Sequence, residues 1–179
     1  MNIIYEEKLK TDNISGQILR ILTDCGNEFV PPLASRKSTT QSDLTGSYAN
    51  ACDIPYEYFE SLKKQHLLIA EDGGIVMGFM SFKENHVTDI ITNRHLPNIY
   101  ISTVIADKNF RRQGVTKALY QSLLEKYKDK NIFTRTWSAN VSHIKLLTLL
   151  GFAEFKRIPD DRGNGIDTVY FVSSAVPRL

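Results

Sequence analysis

The run IADKNFRRQGVTKALYQSLLE, residues 105–125, decides the fold. Its first two residues close the segment NIYISTVIA, residues 98–106, which carries apolar side chains on both faces, the pattern of a central strand covered on each side. Its last half places Val115, Ala118, Leu119, Ser122 and Leu123 at helical spacing, and Tyr127, just beyond it, continues the stripe. Between strand and helix lie Lys108, Arg111 and Arg112, the densest basic cluster beside a predicted helix start, followed by Gly114. A helix N-terminus offers unpaired backbone N–H groups, and a glycine there lets a phosphate approach with no Cβ in the way. The segment therefore describes a phosphate or pyrophosphate site, unless its arginines are merely solvated in a surface turn. Two other phosphate motifs are missing: the chain has no G-x-x-x-x-G-K-[ST] and no G-x-G-x-x-G at its first strand–helix turn, which argues against ATP and NAD.

Outward from this segment, residues 1–8 read as an edge strand, and Ile14, Ile18, Ile21 and Leu22 as a helix capped by Asp12 or Asn13 and ending near Gly26. Residues 31–53 are dense in Ser, Thr, Asn, Gly and Pro and read as a long irregular segment with a short helical piece, the kind of loop that serves as a lid or binding wall. A short helix follows over Pro55–Gln65, with Pro55 in its first turn. Leu67–Ala70 and Ile75–Phe82 flank the turn EDGG as a hairpin, and Gly78 inside its second strand tolerates close backbone approach. Val87–Ile91 is expected to extend the sheet. Ile132–Trp137 reads as a strand, Val141–Leu150 as a helix closed by Gly151, and Phe152–Ile158 and Thr168–Val172 as two strands joined by PDDRGNG. With no repeat and no composition break, residues 1–179 read as one mixed α/β domain.

Composition narrows the function classes. The 179 residues are 42% hydrophobic and 23% charged, as in ordinary folded domains, and 22 Lys+Arg against 20 Asp+Glu leave a formal charge of only +2, too small to demand a polyanionic partner. The aromatics are not interleaved with a basic stripe, so no nucleic-acid partner is expected. No apolar run reaches the roughly 18 residues of a membrane span, and Glu6 and Glu7 argue against a secretory signal, so no membrane partner is expected. Cys25 and Cys52 are too few for a disulfide framework, which makes a reducing, cytoplasmic compartment the expectation. His66, His86, His95 and His143 have no ligand-like spacing, so no metal is expected.

Residues 105–125, taken with FTRTWSANVSHIKLLTLLGFAEF at 133–155, resemble the GCN5-related N-acetyltransferase (GNAT) superfamily. The first stretch looks like its acetyl-CoA signature, with Arg111 and Gly114 at fixed positions and Thr116 where Gly or Ala is usual. In the second, Asn140 and Gly151-Phe152 match, while His143 stands for a small residue and Leu147 for the tyrosine that can protonate the departing thiolate. The resemblance implies the acyl-CoA N-acyltransferase fold: an α/β architecture whose central mixed, mostly antiparallel sheet is flanked by helices and splayed between its fourth and fifth strands.

It implies acetyl-CoA as donor, with the pyrophosphate held by Arg111, Arg112, Gln113, Gly114, Val115 and Thr116, the pantetheine paired with Val104, Ile105 and Ala106, and Asn140 beside the pantetheine arm. The implied reaction is direct transfer of acetyl to a primary amine of a small molecule, peptide or protein, without an acyl-enzyme on Cys25 or Cys52. With Leu147 unable to donate a proton, His143 is a candidate for proton transfer or hydrogen bonding unless it simply fills the wall. Tyr100, Tyr170 and Tyr48 are other donors, each also readable as packing, as is Trp137. Glu84 and Asp89 are candidate bases near the acceptor site, unless they are exposed carboxylates. A non-catalytic acyl-CoA-binding or interaction module on the same fold is the alternative, and a homodimer through the closing strand and tail is open.

Overall fold

The computed structural model describes residues 1–10, 13–44 and 53–174. Strands β1 (Asn2–Glu6), β2 (His66–Asp72), β3 (Ile75–Glu84), β4 (Asn98–Ala106), β5 (Asn131–Trp137), β6 (Ala153–Ile158) and β7 (Thr168–Ser173) form a sheet of order β1-β2-β3-β4-β5-β7-β6. The helices are α1 (Asn13–Cys25), α2 (Tyr56–Leu62), α3 (Val115–Lys126) and α4 (Val141–Leu149). β1 pairs antiparallel with β2, β5 with β7 and β6 with β7, while β4 pairs parallel with β5. This is the mixed, mostly antiparallel sheet with flanking helices. Pairing of β4 with β5 runs from Asn98↔Asn131 only to Ile101↔Thr134, although both strands continue. That early end of the ladder is the expected splay between the fourth and fifth strands.

The chain gathers into two compact units, one made of residues 1–81 and 103–119, the other of 82–102 and 120–179. In the first, α1 buries Ile18, Ile21, Leu22 and Cys25, an i, i+3, i+4, i+7 stripe, against Tyr58, Phe59 and Leu62 of α2 and Leu67, Ile69, Val76, Phe79 and Ile105 of the sheet. The buried hydroxyls of Tyr58 and Thr103 satisfy each other at 2.7 Å, so the α2 aromatic adds area to the core without stranding a polar atom. The β2–β3 hairpin turns through Gly73 and Gly74, both at positive φ, as the EDGG signal requires.

Gly78 is the tightest point of this unit. A Cβ there would lie 2.6 Å from the Ile105 carbonyl oxygen, 2.8 Å from Val115 Cγ1 and 3.0 Å from Ala106 Cα. Only a residue without a side chain lets β3 carry β4 and the start of α3 at this distance.

In the second unit, Ile91, Tyr100, Phe133 and Tyr170 form a buried cluster with Ile90, Phe155, Ile158 and Val172 packed around it. α4 ends as its sequence indicates, with Gly151 at φ +85° and the Phe152 N–H donating to the Leu147 carbonyl. His143 of α4 brings Nε2 within 2.8 Å of the Tyr120 hydroxyl. Desolvation pushes the Tyr120 phenol up and the His143 imidazole down to about 4, so the pair is neutral at pH 7.

Two expectations are corrected. Val87–Ile91 does not extend the sheet: the Thr88 hydroxyl accepts from the N–H groups of Ile90 and Ile91, and the Thr88 N–H donates to the Ile91 carbonyl, a local turn that competes with strand pairing. Pro55 stands at the N-cap of α2 rather than inside its first turn. In the segment 31–53, the described part holds one short 3₁₀ turn, Leu33–Ser35, and residues 45–52 lie outside the described residues.

The contact at Gly78 predicts that Gly78→Val destabilises the protein by about 1–3 kcal/mol through overpacking, measured by urea unfolding; an unchanged midpoint would contradict it. A second expectation concerns pH. His143, and His86 described below, both have folded values depressed to about 4, so each protonates more readily unfolded. Stability is then full above pH 6.5 and falls as pH drops from 6.5 to 4, by up to about 1.4 kcal/mol per pH unit for each histidine. Unfolding midpoints across that window should show the loss, and His143→Gln should flatten it.

Candidate functional site

The end of β4 and the start of α3 are joined by a turn whose shape follows from a few contacts within the first unit. The Asp107 N–H donates to the Met77 carbonyl at 2.9 Å, which keeps the chain on β3 one residue past the strand. The Asp107 carboxylate is 2% exposed; it accepts from the Asn109 N–H at 2.8 Å and from Arg20 Nη2 of α1 at 2.5 Å. Burial alone would raise this carboxyl, but those two partners together hold it below its ordinary value and keep it ionised. The chain then passes through Arg112 at φ +63° and Gly114 at φ +79° before entering α3 at Val115.

This turn fits a pyrophosphate. The space where a Gly114 Cβ would stand is open, with no heavy atom within 4 Å. The first N–H groups of α3 lack intrahelical acceptors by construction, and the helix dipole places partial positive charge at the same end. Gln113 Nε2 reaches back to the Asn109 carbonyl at 3.4 Å, leaving its backbone on the turn. β4 residues Val104, Ile105 and Ala106 lie beyond the last paired β5 register position, so they extend past the ladder with their backbone groups.

Arg111 behaves differently from the other turn residues. Its Nη2 donates to both oxygens of Glu28 at 2.9 Å and contacts Cys25 Sγ at 3.7 Å, and Lys108 joins the same carboxylate at 3.5 Å. The guanidinium thus ties the turn to the end of α1. Burial pushes the Cys25 thiol up more than Arg111 brings it down, so Cys25 is held as the thiol.

The remaining sequence-derived residues fall in the second unit, apart from Tyr48 and Cys52, which lie outside the described residues. Asn140 precedes α4 and donates from Nδ2 to the Thr136 hydroxyl at 3.2 Å. His143 is spent on Tyr120, as above. Leu147 is fully buried. Glu84 accepts from the Tyr127 hydroxyl at 2.8 Å and from Lys130 Nζ at 3.0 Å, so its two oxygens are committed to a cross-link between β3 and the end of α3. Asp89 is exposed in the loop after β3. Tyr100 is buried, with the His86 ring 4.6 Å away, and Tyr170 receives a hydrogen bond from Arg135 Nη1 at 3.3 Å. Trp137 lies half-buried beneath the Arg162 guanidinium, 5.8 Å from the ring centroid.

Sequence reasoning missed Arg20, Asp107, Glu28, Tyr120, His86 and Arg135. Arg20 and Asp107 are 87 positions apart, and no local pattern marks such a pair. Among the described residues no group of three or more His, Cys, Asp or Glu could hold a metal ion, and no described helix is long and apolar enough to cross a membrane.

Comparison with known proteins agrees with this fold. The structure is similar over 98% of this chain to the whole of an N-acetyltransferase from Staphylococcus aureus Mu50, with 16% identity and a TM-score of 0.68. It is similar over 96% of its length to 99% of a ribosomal-protein-alanine N-acetyltransferase from Brucella melitensis, at 18% identity and a TM-score of 0.65. It also matches yncA from Salmonella typhimurium, solved with its cofactor acetyl-CoA, over 100% of this chain and 97% of that one, at 16% identity and a TM-score of 0.62. At these identities the likeness shows a shared fold. No curated protein sequence matches the chain. The family model described as "Acetyltransferase (GNAT) family" matches residues 36–152, which include β4, the Gly114 turn, α3, β5 and α4. The chain belongs to the GNAT acetyltransferase family.

Proposed function

We propose that this chain is an acetyl-CoA-dependent N-acetyltransferase that moves acetyl directly to a primary amine. The observation that carries the reading is the turn at the start of α3. It combines an open space above Gly114, a left-handed Arg112 and a helix N-terminus, the chemistry of a pyrophosphate cradle. Solved relatives of the same fold include one that holds acetyl-CoA.

Acetyl-CoA would supply the thioester carbonyl as electrophile and a thiolate as leaving group. Gly114, Val115 and Thr116 would present backbone N–H groups to the pyrophosphate, with Arg112 adding charge. Val104, Ile105 and Ala106 would pair with the pantetheine amides, and a β4 N–H would face the thioester carbonyl and favour charge developing on its oxygen. Attack by the neutral amine forms the N–C bond, cleavage of the C–S bond releases the thiol, and the proton lost by the amine leaves through solvent or a side chain. Leu147 cannot return a proton to sulfur, so water is the donor in this reading. Cys25, kept as a buried thiol, supports direct transfer rather than an acyl-enzyme. Glu84, bound by Lys130 and Tyr127, is a poorer base than its sequence position implies.

Leu147 also favours a second reading, a module that binds acyl-CoA without turning it over. Calorimetric titration tests the shared step. Acetyl-CoA should bind in preference to ATP, and Gly114→Trp, which puts an indole into the open space, should lower affinity at least about tenfold while circular dichroism stays native. Thiol release with an amine panel separates the readings: steady release supports the transferase, and binding with no release across the panel supports the module. Folded wild type that does not bind acetyl-CoA would sink both.

A further inference from the structure

The Asp107 carboxylate is a charge held inside the first unit one residue past β4. It is 2% exposed and accepts from the Asn109 N–H at 2.8 Å and from Arg20 Nη2. The cations nearest to it in sequence do not serve it, since Lys108 and Arg111 both go to Glu28. The cation that meets Asp107 comes from α1, 87 positions earlier. Arg20 is itself half-exposed, with Nη1 on Asp24 at 3.1 Å, so one side of its guanidinium faces water and the other reaches a buried charge.

From Asp107 a run of contacts leads to the cofactor turn. The carboxylate caps the 3₁₀ turn Lys108–Phe110 through the Asn109 N–H, and the Asp107 carbonyl closes that turn by accepting from the Phe110 N–H at 2.9 Å. The Asn109 carbonyl accepts from Gln113 Nε2 at 3.4 Å, one residue before Gly114. Between them Arg112 holds φ +63°, a conformation that a residue with a side chain keeps only where its surroundings determine it. Backbone donors bind a phosphate best when they are aimed before it arrives, so the shape of this stretch bears directly on affinity. Without Arg20 the buried carboxylate keeps only a backbone donor. Such a group gains by swinging out to water, and that movement undoes the cap on Asn109.

We propose that Arg20 is a positioning residue for the cofactor turn: acting through Asp107, it holds the 108–114 backbone in the shape that receives the pyrophosphate and so sets the affinity for acetyl-CoA. This role rests on the acetyl-CoA-binding reading above and does not need turnover.

The test is calorimetric titration of acetyl-CoA into the wild type, Arg20→Met, Arg20→Lys, Asp107→Asn and the Arg20→Met/Asp107→Asn double variant, each with its circular dichroism and urea midpoint. Arg20→Met is expected to raise Kd at least about fivefold with native circular dichroism, and Arg20→Lys to recover most of the loss. Asp107→Asn should also weaken binding. The double variant should bind no more weakly than the worse single variant, because the two residues act as one unit. A purely structural pair would move the urea midpoint and leave Kd where it is. If Arg20→Met fails to fold, Asp107→Asn, which leaves no buried charge unpaired, carries the same expectation of at least about fivefold weaker binding. Unchanged Kd in folded variants, or losses that add in the double variant, would overturn the role of Arg20 and leave the acetyl-CoA reading intact. A folded wild type that does not bind acetyl-CoA would instead remove that reading, and the role of Arg20 with it.

Discussion

The absence of a side chain at Gly78 is the constraint on which the first unit depends. The Ile105 carbonyl, Ala106 Cα and Val115 Cγ1 all lie within 3.0 Å of the position its Cβ would take, so the end of β4 and the first residue of α3 are set against β3. Asp107 completes the arrangement by tying its N–H to Met77 and its carboxylate to Arg20 and Asn109. A buried carboxylate is costly unless its charge is met, and here it is met by a charge-assisted bond and a backbone donor. The chain then reaches Gly114 at positive φ, with open space where its Cβ would stand.

Charge is arranged differently in the two units. In the first, the basic residues around the turn are partly neutralised, since Glu28 takes Arg111 and Lys108, and the backbone of α3 supplies the rest of the attraction for a phosphate. In the second, Glu84 takes Lys130 and the Tyr127 hydroxyl, and Glu154 and Asp167 take Arg157.

Much of this was legible in the sequence. The apolar period of α1 and α3, the EDGG hairpin, the Gly151 helix end and the doubly covered β4 are local patterns, and each stands where periodicity puts it. A glycine inside a strand, as at Gly78, signals close backbone approach, though not against which atoms. Val87–Ile91 misled because β-branched residues suggest a strand, whereas the Thr88 hydroxyl takes the backbone donors locally. Glu84 read as an open base because Lys130 and Tyr127, distant in sequence, were invisible to it, and His143 gave no sign of Tyr120. Side-chain pairing across the fold is the part that local sequence leaves unwritten.

The central claim is that the β4 end and the Gly114 turn together hold acetyl-CoA through backbone groups. Amide resonances of the isotope-labelled protein, followed while acetyl-CoA is added, test this most directly. The account predicts the largest shifts at Val104–Ala106 and Gln113–Lys117, with smaller ones around Asn140. Large shifts confined to other segments, with these amides unmoved at saturation, would contradict it.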